Sequence, residues 1–171
     1  MYYSQLGEDK YLNDNIFKNK KNGVYIELGA LDGVLYSNTK FFEDSLGWTG
    51  ILIEPHPLNF ELLKKSRKTN KLYNSLVSDS IAELNFKYFE NIYSAVSGVE
   101  STLSKHHYDT FFNASDKTHF VQNSILIKPR TLTDIIIDSG FEILYEKILL
   151  NEEEDSDMWW NGFYLTVVGR K

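Results

Sequence analysis

The stretch Val24-Tyr25-Ile26-Glu27-Leu28-Gly29-Ala30-Leu31-Asp32-Gly33 constrains this chain more than any other. Its start, Val24-Tyr25-Ile26, has the β-branched and aromatic composition of a buried strand. The run passes through Glu27 into a turn spaced by Gly29 and Gly33, where backbone can approach a ligand with no Cβ in the way. Strand, tight turn and helix start are the parts from which open α/β sheets build a crevice at the carboxyl ends of their strands. Nucleotide-like ligands lie in that crevice.

The following residues repeat the unit. Lys40 to Gly47 reads as a helix, with Ser37 or Asn38 as its N-cap and Gly47 as its stop. Trp48-Thr49-Gly50 turns into Ile51-Leu52-Ile53-Glu54-Pro55, a second buried strand ending in an acidic residue. Pro55 and Pro57 are expected to bar immediate helix formation, so the next helix is placed over 58–65. A third short strand over 72–77 ends in Ser78-Asp79-Ser80. The order β-α-β-α-β predicts a parallel sheet with right-handed crossovers.

On either side the pattern is looser. Tyr11, Leu12, Ile16 and Phe17 would line one face of a short amphipathic helix, with Glu8 and Asp9 at its positive end. Residues 82–89 alternate with period two, as a half-exposed strand does. Residues 90–123 are polar without a clear period and read as a lid or substrate loop. A strand is expected over 124–128, and a helix capped by Thr131 that ends near Gly140. Strands over 141–150 and 162–168 would form an antiparallel edge, joined by the acidic connector 151–157. That connector lacks the spacing and glycine turn of a calcium loop.

Bulk properties narrow the partners. The 171 residues fit one domain, residues 1–171, able to bury roughly 70% of the surface of the unfolded chain. There are no cysteines, which excludes disulfides and thiol chemistry, and no metal site is expected. No apolar run approaches the ~20 residues of a membrane span, and Met1 to Gln5 lack a secretory pattern; a cytoplasmic protein is expected. A net charge of −6 argues against nucleic acid. The basic cluster Lys64 to Lys71 reads as a solvated helix face and following loop.

The turn itself suggests a ligand. A dinucleotide fingerprint carries three glycines, whereas this turn has two, flanked by Glu27 and Asp32. Those carboxylates would repel a pyrophosphate and attract a sulfonium or ammonium, which favours S-adenosylmethionine (SAM) over a nicotinamide dinucleotide. Glu54 lies about twenty residues further on, where an acidic strand end accepts ribose hydroxyls. Ser78 and Asp79, at the third strand's tip, would lie near an adenine amino group.

Taken together, several motifs resemble the FkbM family of SAM-dependent methyltransferases. They are Ser4-Gln5 with Gly7-Glu8-Asp9, Gly23 to Gly33, Ser37-Asn38-Thr39, Gly47-Trp48-Thr49-Gly50-Ile51-Leu52-Ile53-Glu54-Pro55, Arg67 with Asn70, and Val77-Ser78-Asp79. The likeness is dense over residues 4–80 and looser at Thr131-Leu132-Thr133-Asp134. It implies a Rossmann-like class I methyltransferase sheet, mostly parallel with an antiparallel C-terminal edge. It also implies methylation of a hydroxyl on a sugar or small metabolite. The expected cofactor contacts are Glu27, Gly29, Ala30, Asp32, Gly33, Ser37, Asn38, Glu54, Pro55, Ser78 and Asp79.

The chain departs from the family pattern after Gly140. A fourth strand ending in Asp-x-Glu-Gly is expected there, but Phe141-Glu142-Ile143 follows directly. The first strand then needs a new neighbour, from 162–168 or 124–128. The alternative is a truncated relative that binds SAM or a protein partner without catalysis. Transfer to oxygen needs the acceptor positioned and its proton removed. His106, His107, His119, Glu8 and Asp9 are the available bases, and none is singled out.

Overall fold

A computed structural model of the chain describes residues 1–90, 93–113, 122–149 and 164–170, with only the backbone of 142–149 and 164–170 considered. The fold is α/β. Strands β1 (Val24–Leu28), β2 (Thr49–Ile53) and β3 (Lys71–Tyr73) form a parallel sheet in the order β1-β2-β3. Val24 stands opposite Thr49, Leu28 opposite Ile53, and Ile53 opposite Tyr73. Helices α2 (Lys40–Leu46) and α3 (Pro57–Ser66) are the crossovers, as the β-α-β-α-β pattern requires.

The two faces of this sheet follow the period of two. Tyr25 and Leu52 pack with Phe41, Phe42 and Leu46 of α2, Trp48 just after it, and Leu63 of α3. Ile51 and Ile53, one residue either side of Leu52, pack instead with Ile135, Ile136 and Phe141. The second face is covered by α5 (Leu132–Ser139), capped by Thr131 and closed by left-handed Gly140 as expected. The Thr131 hydroxyl accepts the Asp134 amide at 3.1 Å. Thr131→Ala should therefore cost about 1 kcal/mol in chemical denaturation.

A second, antiparallel sheet has β4 (Leu84–Phe89) at its centre, between β5 (Gly98–Val99) and β6 (Gln122–Ile127). Strands β7 (Glu142–Leu149) and β8 (Tyr164–Arg170) pair antiparallel as a unit of their own, rather than as an edge hydrogen-bonded to the parallel sheet. The backbone of β8 lies close to β1, one of the two neighbours expected for that strand. The acidic connector falls outside the described residues.

Several expectations are corrected. The N-terminal helix is α-helical only over α1 (Glu8–Tyr11) and continues as a π-helix, Leu12–Phe17. Its wider turn brings residues five apart into line. Leu12 and Phe17 meet the core, while Tyr11 and Ile16 are exposed instead of sharing their face. Pro57 does not delay the next helix but begins it, because the first helical position needs no amide proton. Residues 90–123 are not one long irregular loop: they include two 3-10 turns, β5 and α4 (Lys105–Phe111). The third strand ends at Tyr73, four residues short of the expected Val77, which instead bridges to Arg130.

His56 joins the two sheets. Its Nδ1 accepts the Leu58 and Asn59 amides at the start of α3, and its Nε2–H donates to the Phe89 carbonyl of β4 at 2.7 Å. Both ring nitrogens are committed, which fixes a neutral tautomer. Burial moves its pKa below the ordinary histidine value. No helix among the described residues is long and apolar enough to cross a membrane.

Candidate functional site

The turn from Gly29 to Thr39 lies at the carboxyl end of β1, beside the end of β2. Gly29 and Ala30 donate their amides to the Ile53 carbonyl at 2.9 and 3.2 Å, stitching the two strand ends together. Gly29 is left-handed, with φ +68°, and the direction its Cβ would take is open space. Gly33 is also left-handed, but a Cβ there would come within 2.7 Å of Arg67, Ser66 and Leu63. The two glycines thus serve different needs: one leaves room in front of the turn, the other lets α3 press against its back. Leu31 and Tyr36 also adopt positive φ, at 49° and 58°, an uncommon conformation for such side chains.

Glu54 follows β2 and is 3% exposed. Its carboxylate accepts the Leu31 amide at 2.7 Å and the His56 amide at 2.8 Å. Burial outweighs these two bonds and raises its pKa to about 7. Each oxygen keeps capacity for a further donor. Pro55 follows, half-buried, before the His56 cap.

Glu27 does not face outward as the charge argument expected. It is buried and accepts the Ser37 hydroxyl at 3.0 Å, the Asn38 amide at 2.9 Å and the Thr39 hydroxyl at 2.5 Å. Arg67 lies 3.7 Å away. Burial pushes the Glu27 pKa up, and the Thr39 hydroxyl and Arg67 pull against it. Asp32 is spent on its own turn, its Oδ1 accepting the Val34 and Leu35 amides, both at 2.8 Å. The N-cap of α2 is Thr39 rather than the expected Ser37 or Asn38, and the Ser37 hydroxyl accepts the Thr39 and Lys40 amides ahead of it.

Most of the turn's backbone donors are consumed internally. Ile53, Glu54, Asp32, Glu27 and Ser37 take the amides of Gly29 to Leu31, Val34, Leu35 and Asn38 to Lys40. The Gly33 and Ser37 amides go to carbonyls within the turn. A pyrophosphate needs several free amides at this place, and most of these are engaged. One acceptor remains open: buried Asn38 Oδ1 has no hydrogen-bond partner among the described residues.

Ser78 and Asp79 lie beyond the end of β3, where the Ser78 amide donates to the Arg130 carbonyl and Asp79 is exposed. Asp9 is fully buried and accepts the Tyr3 and Ser4 amides and the Ser4 hydroxyl, a structural hook rather than a base over a ligand. Glu8 accepts the Leu6 amide. His106 and His107 sit on α4, and the His107 ring donates to the Val96 carbonyl at 2.8 Å. His119 lies outside the described residues. No cluster of three or more metal-ligating side chains occurs among the described residues.

Arg67 is the residue that charge patterning misplaced. It belongs to the basic cluster expected to be solvated, yet it is fully buried. Its guanidinium donates to the Gly33 carbonyl at 2.8 Å, Ser37 Oγ at 3.1 Å, Tyr25 OH at 2.7 Å, Thr39 Oγ1 at 2.8 Å and the Glu43 carboxylate. The signal was helical spacing: Phe60, Leu63 and Arg67 fall on one face of α3, and the first two meet the core. No protein-family model, curated protein or solved structure matches this chain.

Proposed function

We propose that this chain binds SAM at the carboxyl ends of β1 and β2, in a Rossmann-like methyltransferase arrangement. Its activity is O-methylation of a hydroxyl on a sugar or small metabolite. The observation that carries the reading is the engagement of most of the turn's amides, which leaves few for a diphosphate while Glu54 retains acceptor capacity. Ribose hydroxyls can donate to Glu54, and Asn38 Oδ1 offers a free acceptor to an amino group. A nucleoside without phosphates, carrying a cationic tail, fits that set. The carboxylates of Glu27 and Asp32, engaged elsewhere, add little to it beyond shaping the turn.

When bound, SAM supplies an electrophilic methyl group; this chain's residues hold the nucleoside and order the turn around it. Titration calorimetry of the full chain with SAM and with NAD tests the reading. Micromolar SAM binding with no NAD heat is the expected result, and no SAM heat at high micromolar concentration would overturn it. A binding protein without transferase activity is the second reading, favoured by the position of β8. This strand, paired antiparallel to β7, lies beside β1, where the resemblance implies a parallel fourth strand. Label transfer from SAM to any of a panel of sugars and small alcohols would defeat it.

A further inference from the structure

We propose that Ser66 and Arg67, at the C-terminal end of α3, are positioning residues that set the ligand turn from behind, a role that rests on the SAM-binding reading above. Both side chains meet the turn from α3, the helix end that Gly33 packs against. Ser66 Oγ donates to the Asp32 carbonyl at 2.5 Å, and Arg67 Nη1 donates to the Gly33 carbonyl at 2.8 Å. Two successive carbonyls are thus fixed from one helix end. They belong to the residues between left-handed Leu31 and left-handed Tyr36.

Arg67 reaches further along the same segment. It donates to Ser37 Oγ, just ahead of α2, and to Thr39 Oγ1, which donates in turn to Glu27. Glu43 of α2 anchors the guanidinium from the other side, and Asn70 and Thr69 hold Glu43. Tyr25 OH bridges the guanidinium to strand β1. The planar fork therefore ties strand, turn and helix to one rigid group, with geometry that an ammonium lacks. Gly33 has no Cβ because the Arg67 stem occupies that place, 2.5 Å from where it would be.

This arrangement addresses a specific problem. A turn with two bulky left-handed residues does not hold its shape unaided, and ligand contacts need geometry fixed to about half an ångström. The carbonyl anchors supply the constraint. They come from α3 and not from the residues proposed to contact SAM, so their removal should change affinity through the turn's conformation.

The test uses the full chain with Ser66→Ala and Arg67→Lys, read by hydrogen exchange, thermal unfolding and SAM calorimetry. In Ser66→Ala, amides of 31–35 should exchange roughly tenfold faster while those of β2 keep their rates, and SAM should bind roughly three- to tenfold more weakly. Arg67→Lys should show the same local pattern with a larger loss. If Arg67→Lys does not fold, Ser66→Ala decides, since it removes only one hydroxyl. Unchanged exchange in the turn, or acceleration spread evenly over turn and strands, would overturn the proposal. If the wild-type chain fails to bind SAM, the functional reading falls, and the exchange pattern still judges the positioning role by itself.

Discussion

Arg67→Met is expected to lower the unfolding free energy by about 3–5 kcal/mol at pH 7, the usual cost of removing one partner from a buried ionic network. Glu27 is buried and Glu43 nearly so, and methionine leaves both carboxylates without their cation. It also removes the donor from Tyr25 OH, Thr39 Oγ1 and the Gly33 carbonyl, each of which receives a guanidinium proton. The pH dependence identifies the cause. Arg67 helps hold Glu43 below the usual carboxylate range, so this contribution is present above the unfolded pKa and lost as pH falls through the folded one. The gap between wild type and variant should narrow towards pH 4 in urea titrations. A constant gap would assign the loss to packing.

The second large effect concerns the ligand. Burial raises the Glu54 pKa to about 7, and in the proposed SAM complex the ribose hydroxyls would favour its ionised form. SAM affinity should therefore rise roughly 30-fold between pH 5.5 and pH 8, with proton release visible as a buffer-dependent heat. Glu54→Gln should flatten this profile and weaken binding roughly 10- to 100-fold at pH 8. Stability moves the other way. A carboxyl raised from 4.5 to about 7 contributes stability below pH 4.5 that is lost as pH rises through 7, on the order of 3 kcal/mol. His56 opposes it: held neutral by burial, it penalises the fold as pH falls below 6.5. A ligand-free stability profile with a broad plateau is the expected sum, and added SAM should restore the alkaline side.

Much of this molecule can be read from residue spacing. Apolar runs broken by glycines place β1 and β2, and alternation within Ile51-Leu52-Ile53 divides them between two cores. Glu54 stands where an acid is expected, and Thr131 and Gly140 bracket their helix. What spacing cannot convey is where a polar side chain finds its partner. Glu27 looks like a ligand carboxylate because its sequence neighbours are turn residues, but its partners lie 10 to 12 residues away and at Arg67. Asp9 likewise reads as helix-end charge until the N-terminal segment through Tyr3 and Ser4 folds back on it. Polar residues in the first unit are decided by burial, and burial is a property of the packed fold.

The reach of these contacts also bears on the order of assembly. Within the first parallel sheet, the longest side-chain link described, Tyr25 to Asn70, spans 45 residues, and crossovers bring its strands together one after another. Strand β8 reaches β1 only from the far end of the chain. Closing the larger loop costs more chain entropy, so residues 24–73 are placed to collapse first, with the β7–β8 pair docking onto a sheet that already exists. The strand end carrying the 29–39 turn would then be shaped before its late neighbour arrives.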